Sequence, residues 1–135
     1  MKKLVFLMIF ALALGSCSVG DDTNSEFVVL PAEGAVMPNK FKVDSVSVIT
    51  VKYRRPTNCH IFNGFYYDVN GTTRTVAINA VKLHQNNCQD DSETLFEVPL
   101  NFRPTTDGSY VFKFWIGDDA NGMEQYLSYD VEVNP

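Results

Sequence analysis

Residues 107–133 read DGSYVFKFWIGDDANGMEQYLSYDVEV, two alternating runs around a turn-rich centre. In the first run Tyr110, Phe112, Phe114 and Ile116 share one phase; in the second, Leu127, Tyr129 and Val131 do. A period of two with one apolar phase is the mark of a strand that buries one face. Asp118-Asp119-Ala120-Asn121-Gly122 supplies the turn. A four-residue loop over 119–122 pairs Phe114 with Leu127, Phe112 with Tyr129 and Tyr110 with Val131, so every pair on that face is apolar or aromatic. The opposite face pairs Trp115 with Tyr126, Lys113 with Ser128 and Val111 with Asp130. A slip of one residue would mix the two faces, so the pattern specifies its own register.

Upstream of this hairpin the chain is again punctuated by turn residues and shows no sustained helical period. Phe27 to Leu30 is a short opening strand stopped by Pro31, and Ala32 to Asn39 reads as a loop. Val43 to Tyr53 is rich in β-branched residues, with apolar side chains on both faces, which implies a bulge or a strand buried on both sides. Asn70-Gly71 is a strong hairpin signal between His60–Val69 and Thr72–Leu83. It pairs Val69 with Thr72, Tyr67 with Arg74, Phe65 with Val76 and Ile61 with Ala80. After the polar loop Gln85–Ser92, residues Thr94, Phe96, Val98, Leu100 and Phe102 share phase, and Pro99 among them points to an edge strand. About seven antiparallel strands without helices predict an all-β fold, a two-sheet β-sandwich. The Gly108-x-Tyr110 opening resembles the tyrosine corner of immunoglobulin-like domains. Phe112 stands where that pattern carries a cysteine, so the resemblance implies an immunoglobulin-like sandwich without the usual inter-sheet disulfide.

The chain begins with a different kind of segment. Lys2 and Lys3 precede an unbroken apolar run from Leu4 to Leu14, and Leu14-Gly15-Ser16-Cys17 closes it with small residues before a cysteine. The run is shorter than the ~20 residues a membrane-spanning helix needs, so it reads as a removable signal over residues 1–16. It resembles the bacterial lipobox, which implies cleavage before Cys17 and lipidation of its thiol. Residues 17–26, with Asp21, Asp22 and Glu26 among small polar residues, read as a flexible tether leading to a domain at 27–135. Acidic residues close behind the lipidated cysteine also resemble the signal that sends Bacteroidetes-type lipoproteins to the outer face of the outer membrane. The whole chain thus resembles small immunoglobulin-like lipoproteins of that type, many without an assigned activity. What this implies is an outer-membrane, lipid-anchored, surface-displayed protein.

Loss of the signal removes two of eleven basic residues and leaves nine against sixteen acidic ones, a formal net charge of −7. Such a surface repels phosphate backbones, which argues against nucleic acid as a partner. Lys52, Arg54 and Arg55 cluster, but as the solvated end of a strand. Cys59 and Cys88 form an even pair in an exported chain, and closing them into a disulfide would pin the Gln85–Ser92 loop to the start of the Asn70-Gly71 hairpin. With His60 and His84 nearby, the same cysteines offer zinc-type ligands. Neighbours on a strand, however, point to opposite faces, and oxidation would consume both thiols, so no metal or cofactor is assigned. Asp118, Asp119 and Asn121 lack the further ligands of a calcium loop and read as turn chemistry. No catalytic constellation emerges, and the chain reads as a binding or structural module rather than an enzyme. Strict alternation turns Trp115 outward beside Tyr126, where a flat aromatic pair suits a sugar ring or an envelope protein partner. Because large aromatics are usually well buried, the sequence favours instead that the Gln85–Ser92 loop covers Trp115 or that a bulge turns it inward.

Overall fold

A computed structural model describes residues 24–135; the signal segment 1–16, the lipidation candidate Cys17 and tether residues 18–23 lie outside the described residues. Nine strands occupy the described chain: β1 (Ser25–Leu30), β2 (Ala32–Val36), β3 (Phe41–Lys42), β4 (Ser47–Tyr53), β5 (His60–Asn70), β6 (Thr73–Leu83), β7 (Phe96–Phe102), β8 (Gly108–Asp118) and β9 (Glu124–Asn134). They form two sheets, β2-β4-β7 and a six-stranded sheet ordered β1-β6-β8-β9-β3 with β5 also on β6. The expectation of an all-β sandwich holds, with more strands and one change of kind. β6 and β8 pair in parallel, as do β3 and β9, so the larger sheet is mixed rather than antiparallel throughout. The reason is connectivity. The chain leaves β6, runs through β7 in the smaller sheet and returns as β8 beside the strand it left, now in the same direction.

The core lies between the sheets. Ile49 and Val51 from β4 face Val76 and Ile78 from β6 and Phe112 and Phe114 from β8, all fully buried. Phe102 of β7 joins the layers: its ring lies 4.8 Å from Phe112 and 5.4 Å from Tyr110, both edge-on, the geometry in which a ring's positive edge meets a negative face. At the other end Tyr53 stacks between Phe62 and Phe96 at 6.1 and 5.6 Å. The Tyr110 hydroxyl donates to the Thr106 carbonyl at 2.8 Å, fixing the corner where the chain enters β8.

The closing hairpin keeps all six pairs expected from the alternation, from Tyr110 with Val131 to Trp115 with Tyr126. Only its turn is longer. The register shifts between Trp115 and Gly117, and the loop runs from Asp119 to Met123, where the Asp119 Oδ1 accepts from the Asn121 and Met123 amides. The Asn70-Gly71 hairpin forms two residues out of its expected register: Val69 pairs with Arg74 and Tyr67 with Val76. Gly71 takes φ 61° while its neighbours Asn70 and Thr72 do not enter positive φ, so Gly71 and Thr72 are the central residues of a type II′ turn. From Phe65 to the turn a shift of two leaves every side chain on its expected face, so hydrophobic alternation does not tell the two registers apart. Beyond the register shift between Phe62 and Phe65, Ile61 pairs with Val81 instead of Ala80 and lies on the opposite face.

Two other expectations are corrected. Ala32–Val36 is a strand paired with β4, not a loop. Pro31 does not stop the chain but turns it from the larger sheet, where Leu30 pairs with Ile78, into the smaller one, where Ala32 pairs with Tyr53. The second expected strand begins at Ser47 rather than Val43, because Asp44 at φ 60° breaks the extended backbone. Without Val43 and Val46 the strand alternates cleanly, with Ile49, Val51 and Tyr53 inward. β7 lies at a sheet edge, as Pro99 required, and β1 begins at Ser25, so Ser25 and Glu26 belong to the sheet rather than to the tether.

Candidate functional site

β5 runs along one side of β6 for almost its whole length, so β1 and β8 share the other side. β8 lies beside Thr73–Val76 and β1 beside Ile78–Leu83. Where these two neighbours part, next to Ala77, the outer face of the larger sheet sinks into a cleft of ≈ 340 Å³. Its walls come from five strands: Val29 of β1, Tyr66 of β5, Thr75, Ala77 and Asn79 of β6, Trp115 of β8, and Glu124 and Tyr126 of β9. The sequence-predicted pair Trp115 and Tyr126 is therefore brought together as cross-strand neighbours, half-buried and facing outward. No residue of the Gln85–Ser92 loop lines the cleft, and the bulge after Trp115 leaves its outward phase unchanged.

Tyr66 was not foreseen. In strict alternation from Phe62 it would point into the sandwich. A bulge at Asn63-Gly64, opposite Asn79, inserts the extra residue that turns Phe65 inward and Tyr66 outward. Gly64 sits at φ 82°, a conformation open to glycine and strained for other residues. Phe62 and Phe65 both pack on the core as a result, 5.3 Å apart. A glycine inside a strand-like run is the one sequence signal that could have disclosed this bulge.

The polar tips of both predicted rings are tied down. The Trp115 indole N–H donates to Asp118 Oδ1 at 3.3 Å, and the Tyr126 hydroxyl donates to Glu124 Oε2 at 2.6 Å. That bond to a carboxylate, helped by the neighbouring negative charge, pushes the Tyr126 phenol up to about 12, so it stays a protonated donor. The Lys113 ammonium lies 4.8 Å from the Tyr126 ring centroid, a cation–π contact that fixes the ring further. With their tips engaged, the rings have their faces to offer. Among the described residues the side chains of Asn63, Thr75 and Asn79 have no hydrogen-bond partner, so polar capacity is left along the same surface. The arrangement suits a ligand with apolar faces and hydroxylated edges.

Cys59 and Cys88 are bonded, with Cα atoms 5.5 Å apart. As expected, the bridge holds the β6–β7 loop against the entry to β5. There Asn58 donates its amide to the Gln89 carbonyl, and Asp91 its amide to that of Pro56. The thiols are consumed, and the buried His60 places Nδ1 3.0 Å from Thr57 Oγ1, so this corner is structural. The Lys52, Arg54 and Arg55 cluster is neutralised residue by residue, by Glu97, Glu33 and Asp91. Arg55 also holds the Asp91 carboxyl below the usual carboxylate range through its hydrogen bond. A second opening of ≈ 370 Å³ lies between Tyr67, Val69, Phe102 and Arg103. Its other arginine, Arg74, donates to the Gly71 and Thr73 carbonyls and lies 5.2 Å from the Tyr110 ring centroid, closing the sandwich end.

No family model, curated protein or solved structure matches this chain.

Proposed function

We propose that this chain is a lipid-anchored module of the bacterial outer membrane, displayed at the cell surface, that binds carbohydrate through the outer-face cleft and carries no catalytic activity of its own. One observation carries the binding reading: Tyr66, Trp115 and Tyr126 converge on one cleft, with the tips of Trp115 and Tyr126 engaged by carboxylates. Rings held in this way present flat apolar faces at low entropic cost, which is what preorganised recognition requires. The anchor is supported by the order of parts ending in Leu14-Gly15-Ser16-Cys17, and an immunoglobulin-like arrangement by the hydrogen bond from Tyr110 to the Thr106 carbonyl.

Two experiments test the two halves. Cys17→Ser should leave the fold intact and move the protein from the membrane to the soluble fraction; retention in the membrane would refute lipid anchoring. On an array of neutral polysaccharides the wild type should be retained and Trp115→Ala lost, with an unchanged melting temperature. Trp115 is outside the core cluster, so its truncation changes the cleft and not the packing. Equal retention of both proteins would refute the cleft as the binding site.

A further inference from the structure

The cleft does not end at Val29. A second depression of ≈ 330 Å³, lined by Phe27, Val28, Val29, Asn63 and Asn79, shares Val29 and Asn79 with it. The shared residues lie opposite each other on β1 and β6, so the two hollows are halves of one groove on a continuous sheet face. Phe27 pairs with Val81 on β6, four residues beyond Ala77, so the groove extends for roughly 13 Å along the strands from Trp115 to Phe27. Phe27 is 84% exposed, a large aromatic ring at the far end.

We infer that the ligand is an uncharged, linear oligosaccharide chain lying along this groove, held over several sugar rings from Tyr126 and Trp115 past Asn79 to Phe27. The inference rests on the carbohydrate reading of the cleft and adds charge, length and direction to it. Charge follows from the lining. Among the described residues lining the two hollows Glu124 is the one ionised side chain, and none is a lysine or arginine. Beside the lining stand Asp118, on the Trp115 indole, and Lys113, whose ammonium is taken up by the Tyr126 ring at 4.8 Å. A uronate, sulfate or phosphate would meet the Glu124 carboxylate and find no cation in either lining. A wholly apolar occupant fits no better, because it would bury Asn63, Thr75 and Asn79 without hydrogen bonds, each at a cost of about 1–3 kcal/mol. Alternating apolar and amide groups along one groove match a chain whose rings have C–H faces and hydroxyl edges. Length and direction follow from the shared Val29 and Asn79, which join the hollows end to end.

The test is calorimetric titration of the mature protein with cello-, malto-, xylo- and manno-oligosaccharide ladders of one to six residues, and with oligogalacturonates as the anionic control. In at least one neutral ladder, affinity should rise tenfold or more between the monosaccharide and the hexasaccharide. Phe27→Ala, which changes only the far hollow, should remove most of that gain while leaving binding of the shortest ligands unchanged. Oligogalacturonates should bind at least tenfold more weakly than neutral chains of equal length. Trp115-dependent binding that ignores length, or that favours the anionic ladder, would overturn the inference while sparing the cleft. No binding in any neutral ladder would overturn both.

Discussion

Phe112→Ala lowers the unfolding free energy by about 3–5 kcal/mol, read as a fall in the urea midpoint at unchanged slope. Phe112 is fully buried on β8, the strand that holds β6 to β9. Its ring meets Phe102 of the opposite sheet edge-on at 4.8 Å and stacks on Phe114 at 6.3 Å. Truncation removes the side chain from the middle of an interface between rigid sheets, so the cavity does not collapse easily and the cost falls in the upper range for core truncations. A domain of this size has ~5–15 kcal/mol in total, so the variant stands near the edge of folding. Lys113→Ala, one residue on and on the opposite face, should change stability by less than about 0.5 kcal/mol. A comparable loss in both variants would mean that β8 is not buried on one face as described.

The paired replacement of Cys59 and Cys88 by serine should cost ~3.5 kcal/mol, the chain-entropy value for opening a loop of this length. The two cysteines are 29 residues apart. For a domain of about this size that corresponds to a drop in melting temperature of roughly 15 °C, and reductant alone should reproduce it in the wild type. The aromatic cleft shares no residue with the bridge. Binding measured well below the transition should therefore survive reduction, which separates the staple from the site. A melting temperature within about 3 °C of wild type in both cases would show that the hydrogen bonds around Asn58 and Gln89 hold the loop unaided.

Local chemistry was legible in the sequence, and long-range adjacency was not. The closing hairpin was readable pair by pair because a one-residue slip would mix its aromatic and polar faces and the turn residues 118–122 place the loop. The bridge followed from the pair Cys59 and Cys88 behind a segment that reads as an export signal, and the edge position of β7 from Pro99. Trp115 and Tyr126 were readable as neighbours because one hairpin holds both. Tyr66, Val29 and Asn79 reach the same cleft through three other strands and a bulge that inverts the phase of β5, none of which a local pattern encodes. β2 escaped notice for a related reason. A proline ends pairing with one neighbour, and only the fold shows that a second sheet waits on the far side. The parallel pairing of β6 with β8 depends likewise on where β7 lies.

The most direct test of the central claim uses the sole tryptophan of the chain as its reporter. Trp115 lies in the cleft, so its emission should shift or quench in a saturable way as the protein is titrated with uncharged hexasaccharides. Tyr66→Ala should weaken that response severalfold. Emission that stays constant while calorimetry records binding of the same hexasaccharide would contradict the claim, because the sugar would then lie elsewhere on the molecule.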